Sequence, residues 1–227
     1  MIADIARVLG QLDDPKLLKP VLAGLVVSAL VLAVLVAFSA WLLSGVSVGG
    51  DSWWEQALDW AVQILGTFGA AILAFLMFPA FALIIQSFFL DSVTDAVEAR
   101  HYTSLPKGRD VPMIESLFSS AKLTALVLLI NLVLLPVYLI LLPIAGAGAA
   151  LYYAVNGYFV GREFFETVGL RRKKAKELRD VRRSNRFTVW IDGILLVLLF
   201  TIPIVNLAGP TLGTAYMVHR YHRMKNT

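Results

Sequence analysis

PVLAGLVVSALVLAVLVAFSAWLLSGV, residues 20–46, runs for 27 positions without one charged side chain. About 20 helical residues cross the hydrocarbon core of a bilayer, so this stretch spans it with some tilt. A second uncharged run, AVQILGTFGAAILAFLMFPAFALIIQSFFL, occupies residues 61–90. Around these two runs the twenty Lys and Arg residues fall into four clusters. None lies between Lys19 and Arg100, between Lys122 and Arg162, or between Arg186 and Arg220. A cation at the bilayer centre costs ~3 kcal/mol or more, and a chain that keeps cations out of long apolar stretches is built for lipid. Cations near membrane helices collect on the cytoplasmic side. The basic clusters, and both termini with them, are therefore assigned to the inside of the cell.

Composition agrees. The chain is 58% hydrophobic and only 16% charged, with mean hydropathy +0.74; a soluble domain is about 25% charged. Its 227 residues are read as one membrane domain, 1–227. The absence of cysteine excludes disulfides, thiolate nucleophiles and iron–sulfur clusters. There is no G-x-S-x-G, H-E-x-x-H or P-loop pattern, so nothing indicates an enzyme or calls for a cofactor. His219 and His222 stand three apart with no third ligand in view, so no metal is assigned. Asp4 sits where a signal peptide has its basic segment, and no cleavable signal is read.

The link after residue 46 carries Asp51, Glu55 and Asp59, no cation, and Trp53, Trp54 and Trp60, the aromatic signature of a membrane interface. It is the outside loop. Gly66, Ala70 and Ala74 form a small-residue stripe for close helix approach, and Pro79 removes the donor to Phe75. Past residue 90, Val93, Ala96 and Val97 alternate with Asp91, Asp95 and Glu98 as an amphipathic cytoplasmic helix. Ile2, Ile5, Leu9 and Leu12 mark another, interfacial one within residues 1–14.

The remaining two runs have basic clusters at both ends, so each leaves and re-enters the same face. Residues 123–161 turn at the breakers Pro143, Gly146 and Gly148. Residues 187–219 turn between Thr201 and Pro210, leaving arms of about 14–16 residues, roughly 21–24 Å at helical rise against a core of ~30 Å. The fold class read from this is all-α: two spanning helices plus two partly inserted helical hairpins, folded or oligomerised around irregular tips.

Broken helices near the midplane can present backbone N–H groups to an anion. Asn206 and Gly209, with Pro210 at the first position of a helix, are candidates for that role or for a simple capped turn. Asn131 and Asn156 are either interhelical hydrogen-bond partners or path lining. Lys16 and Lys19 are anion contacts at the first spanning helix or topological anchors. Ten of the twenty cations lie in residues 162–186, a segment that suits anionic lipid; with no RNA-binding motif, no nucleic acid is assigned as a partner. Asp192 is assigned to Arg186 or a neighbouring chain.

Three stretches carry a family resemblance: Phe89-Leu-Asp-Ser-Val-Thr-Asp-Ala-Val-Glu-Ala-Arg100 through Leu105-Pro106; Asn156-Gly-Tyr-Phe-Val-Gly-Arg-Glu-Phe-Phe-Glu166 with Leu170-Arg-Arg172; and Ile202-Pro-Ile-Val-Asn-Leu-Ala-Gly-Pro210 through Ala215-Tyr-Met217. Together the chain resembles the CysZ-type sulfate permease family, which shares a domain with etoposide-induced proteins. The resemblance implies two spanning helices with two inserted hairpins, a homo-oligomer in the bacterial inner membrane, and sulfate uptake for cysteine synthesis. It also implies a Gly-hydrophobic-Arg motif at the first spanning helix. Here Lys16 stands at the glycine and Leu18 at the arginine, and a further family arginine falls near Asn131 or Leu132. The alternative reading is a non-transporting scaffold that binds anionic lipid or partner membrane proteins through residues 162–186.

Overall fold

The computed structural model describes residues 1–46, 52–109, 113–141, 144 and 146–224, with the backbone alone for 113–124. Asp51, Pro143 and the side chain of Lys122 lie outside the described residues. All regular structure among the described residues is helical: α1 (Ile2–Leu9), α2 (Pro15–Ser44), α3 (Trp53–Ser87), α4 (Leu90–His101), α5 (Met113–Leu141), α6 (Ala147–Gly169), α7 (Ala175–Ser184), α8 (Arg186–Phe200), α9 (Pro203–Leu207) and α10 (Gly209–Tyr221). The chain divides into two compact units, residues 19–88 and the remainder.

The 19–88 unit is a pair of long helices. α3 starts eight residues before the apolar run because Ser52 and Glu55 form a capping box, the Ser52 N–H donating to Glu55 Oε2 at 3.1 Å. Trp53, Trp54 and Trp60 thus lie on helix, where a loop was expected. Gly24 abuts the Ala82 carbonyl, and Gly66 of the small-residue stripe abuts Leu43. Between these contacts lies a groove of about 460 Å³ lined by Ala33, Ala37, Ala40, Ala71 and Ala74. Only 17% and 6% of the most apolar windows of α2 and α3 are buried within the chain. A core helix of a soluble protein would be mostly buried. These two present their apolar surface to whatever surrounds them.

The other unit has a packed base. Val8, Leu17, Val93, Val97, Phe165, Val168, Leu178, Val189, Met217 and Tyr221 share one core drawn from α1, α2, α4, α6, α7, α8 and α10. α10 is its centre, buried along nearly its whole length. The second arm of the last hairpin is thus enclosed by protein. The first arm, α8, lies along α6, where Gly157 and Gly161 face Gly193 so closely that backbone meets backbone. α8, at 15 residues, has the expected arm length, and α10, at 13, is slightly shorter. In the α5–α6 hairpin the helices outrun the apolar segment at both ends. Gly146 makes the turn at φ 78°, a left-handed conformation suited to glycine. A methyl at Gly148 would lie 3.3 Å from the Tyr138 carbonyl, so the hairpin also closes tightly there.

α4 buries Val93, Ala96 and Val97 as its pattern requires. In α1, Asp4 and Val8 point into the base, while Ile2 and Leu9 are exposed; an apolar edge is left facing outward.

Candidate functional site

The six candidate residues fall into three places. At the entrance to α2, Asp14 precedes Pro15 and caps the helix: its Oδ1 accepts the Lys16 N–H at 2.9 Å, and its Oδ2 accepts from Gln11 Nε2 at 3.2 Å. The Lys16 N–H bond, with smaller contributions from Gln11, Lys16 and Arg100, holds the Asp14 carboxyl below its usual range. The N–H end at which an oxyanion would be held is therefore already met by a carboxylate of the protein itself. The side chains of Lys16 and Lys19 are exposed. Lys16 lines an open cavity of about 450 Å³ together with Asp95, Tyr102, Thr103, Lys107 and Arg172.

Asn131 on α5 and Asn156 on α6 exchange hydrogen bonds, Nδ2 to Oδ1 at 3.1 Å in each direction. Their remaining N–H groups donate to the Val127 and Tyr152 carbonyls at 2.9 and 3.0 Å. Tyr138 Oη donates to Asn131 Oδ1 at 3.2 Å. With all four amide hydrogens engaged, the pair joins the two helices, the first of the two roles read for it. An anion would find a donor here only after the pair opened. The sequence pattern did not single out Tyr138, which joins this pair, or Tyr153, whose Oη makes a separate contact 3.2 Å from Thr201 Oγ1 at the end of α8.

At the third place, Pro203 and Pro210 occupy the first turns of α9 and α10, with Gly209 opening α10, as the sequence suggested. Asn206 makes its backbone bond to Ile202 at 2.9 Å. The apolar tip stands out, with Ile204 82% exposed.

Polar side chains at the base form a network that residue pattern alone did not connect. Arg171 is buried and pairs with Asp91 at 2.8 Å and with Asp95. Arg172 pairs with Glu98, which also lies 2.9 Å from His222 Nε2. Asp192 is held by Tyr216 at 2.7 Å and by Arg220 at 2.9 Å; this corrects its assignment to Arg186 or another chain. Burial works to raise the Glu98 carboxyl, but His222 and Arg172 outweigh it and leave it below the ordinary value. Burial, helped by Arg100 and Arg7, lowers His101. In both cases the unfolded chain binds protons more readily than the folded one. Stability in detergent is accordingly expected to fall on acidification below about pH 6.5, as His101 titrates in the unfolded chain, and further below about 4.3 through Glu98. Melting temperature against pH checks this; a rise between pH 7 and 5.5 would contradict it.

The family described as sulfate transporter CysZ/etoposide-induced protein 2.4 matches residues 4–210. The chain belongs to that family. No curated protein matches it. The CysZ family is one of transporters rather than enzymes, and membership together with the two long unburied apolar helices points to a membrane protein. Against the motif that the resemblance implies, α2 offers Leu18 at the arginine position, with Lys19 next to it and Lys16 two residues before. Lys19 lacks the planar fork with which arginine grips an oxyanion.

Proposed function

We propose that this CysZ-family chain passes a small oxyanion, sulfate first, across the bacterial inner membrane to feed cysteine synthesis. α2 and α3 span, the α5–α6 and α8–α10 hairpins enter partway from the cytoplasmic side, both termini stay inside, and several copies assemble. The observation that carries the reading is the match to a sulfate transporter family over residues 4–210. The exposed apolar tip at Ile202, Pro203 and Ile204 supports lipid contact at the end of the last hairpin.

In this reading Lys16 and Lys19 concentrate substrate at the inner mouth, and the Asn206 side chain and Gly209 receive it at the tip. The Asn131–Asn156 pair opens to let it pass. The membrane potential opposes entry of a dianion by about twice ~2.3 kcal/mol per 100 mV. Uptake therefore draws on a coupled ion, a steep gradient or rapid consumption of product. In cells stripped of other importers, labelled sulfate uptake should depend on this protein. Lys16→Gln with Lys19→Gln should slow it roughly tenfold at low salt, by loss of local attraction. Equal uptake with and without the protein would refute the proposal.

A non-transporting scaffold is the second reading. It is favoured by the exposed cations of α7, which find no partner among the described residues of the chain.

A further inference from the structure

Eight of the ten cations of residues 162–186 fall into two sets. Arg162 and Arg182 pair with Glu166 at 2.9 and 3.5 Å, Arg171 with Asp91 and Asp95, and Arg172 with Glu98. These four serve the fold. Lys176, Arg179 and Arg183 are exposed and make no ion pair with any described residue. At positions i, i+3 and i+7 they form one face of α7, opposite the buried Leu178 and Val181. Arg186 is likewise exposed at the start of α8. Glu177 and Asp180 flank this face without pairing to it.

The surroundings say what such a face meets. Directly after Arg186 come Phe187, largely exposed, and Trp190, with ring centroids 5.9 Å apart. Trp190 Nε1 is tethered to the Ala154 carbonyl on α6 at 2.8 Å. Cations followed by an exposed phenyl ring and an amphipathic indole at the root of an apolar arm suit a headgroup layer. α7 joins α6 to α8, and at ten residues it is about 15 Å long. If those arms enter lipid, as the transport reading on which this inference rests requires, α7 cannot stray far from the surface.

We infer that Lys176, Arg179, Arg183 and Arg186 form a docking face for anionic phospholipid headgroups, which seat the base of the hairpins on the inner leaflet. Each cation near an anionic surface raises local affinity about fivefold, and three removed together should lower it by well over tenfold.

The full-length protein is purified in detergent and titrated with phosphatidylglycerol or phosphatidylcholine, and native mass spectrometry counts the lipids retained. The parent should retain phosphatidylglycerol in preference. The triple variant Lys176→Gln, Arg179→Gln, Arg183→Gln should lose that preference by at least about tenfold while keeping its helicity and elution volume. A companion variant, Glu177→Gln with Asp180→Asn, should keep or strengthen it, and serves as the test should the triple variant misfold. The inference is overturned if the parent shows no preference, if the folded triple variant keeps it, or if inorganic phosphate at millimolar concentration displaces the lipid as well as another lipid does. Sulfate flux in the same samples is a separate readout. Flux without lipid preference sinks this inference alone, and lipid preference without flux sinks the transport reading alone.

Discussion

Gly193→Leu should separate α6 from α8 and leave the purified protein aggregated or unfolded. A Cβ at this position would run into the Gly157 carbonyl oxygen and approach the Gly161 backbone. Backbone cannot rotate away as a side chain can, so the helices must move apart. Overpacking within side chains costs ~1–3 kcal/mol; this substitution should exceed that range. Thermal unfolding and monodispersity in detergent give the measurement. Gly69→Ala is the control, since a methyl there meets nothing within 4 Å and helix propensity favours alanine by up to ~1 kcal/mol. If Gly193→Leu melts like the parent, the α6–α8 packing described above is wrong.

The second large effect concerns Arg171, and its sign of asymmetry matters more than its size. The arginine side chain is 0% exposed, whereas Asp91 and Asp95 are 49% and 35% exposed. Neutralising both acids (Asp91→Asn with Asp95→Asn) strands a buried guanidinium, which typically costs ~3–5 kcal/mol. Arg171→Met leaves two carboxylates that water can reach and puts an apolar chain in the buried position. It should cost clearly less than the double substitution. Chemical or thermal unfolding of the two variants decides the matter, and the reverse ranking would show that the acids, not the arginine, carry the burial cost.

Much of this architecture was legible from charge and apolar length. The two long helices, the amphipathic α4, the turn at Gly146 and the Pro203–Pro210 break all follow from periodicity, breakers and the spacing of cations. Where the reading fell short, tertiary pairing was the cause. Residues 162–186 look like a uniform basic patch in sequence. Only folding shows that Arg171 and Arg172 answer acids some 75 positions earlier. Arg220 and Tyr216, not the sequence neighbour Arg186, take Asp192, because α10 returns against the start of α8. The enclosure of α10 was invisible for a similar reason: its composition suits lipid and protein interior equally. The Gly157-x-x-x-Gly161 spacing was readable, but its partner Gly193 lies on another helix. Asn131 and Asn156, read either as interhelical partners or as path lining, hydrogen-bond each other in the fold. The carboxylate of Asp14 at the mouth of α2 went unremarked, although an Asp before a helix-opening proline is a strong capping signal.

α6, α8 and α10 are clamped together where Phe165, Val189 and Met217 meet, and the tip at Ile202–Ile204 has no such support. A beam fixed at its root deflects most at its free end. In the topology proposed above, bilayer thickness and lateral pressure would act on this hairpin with the longest lever arm at α9, while its packed base stays rigid.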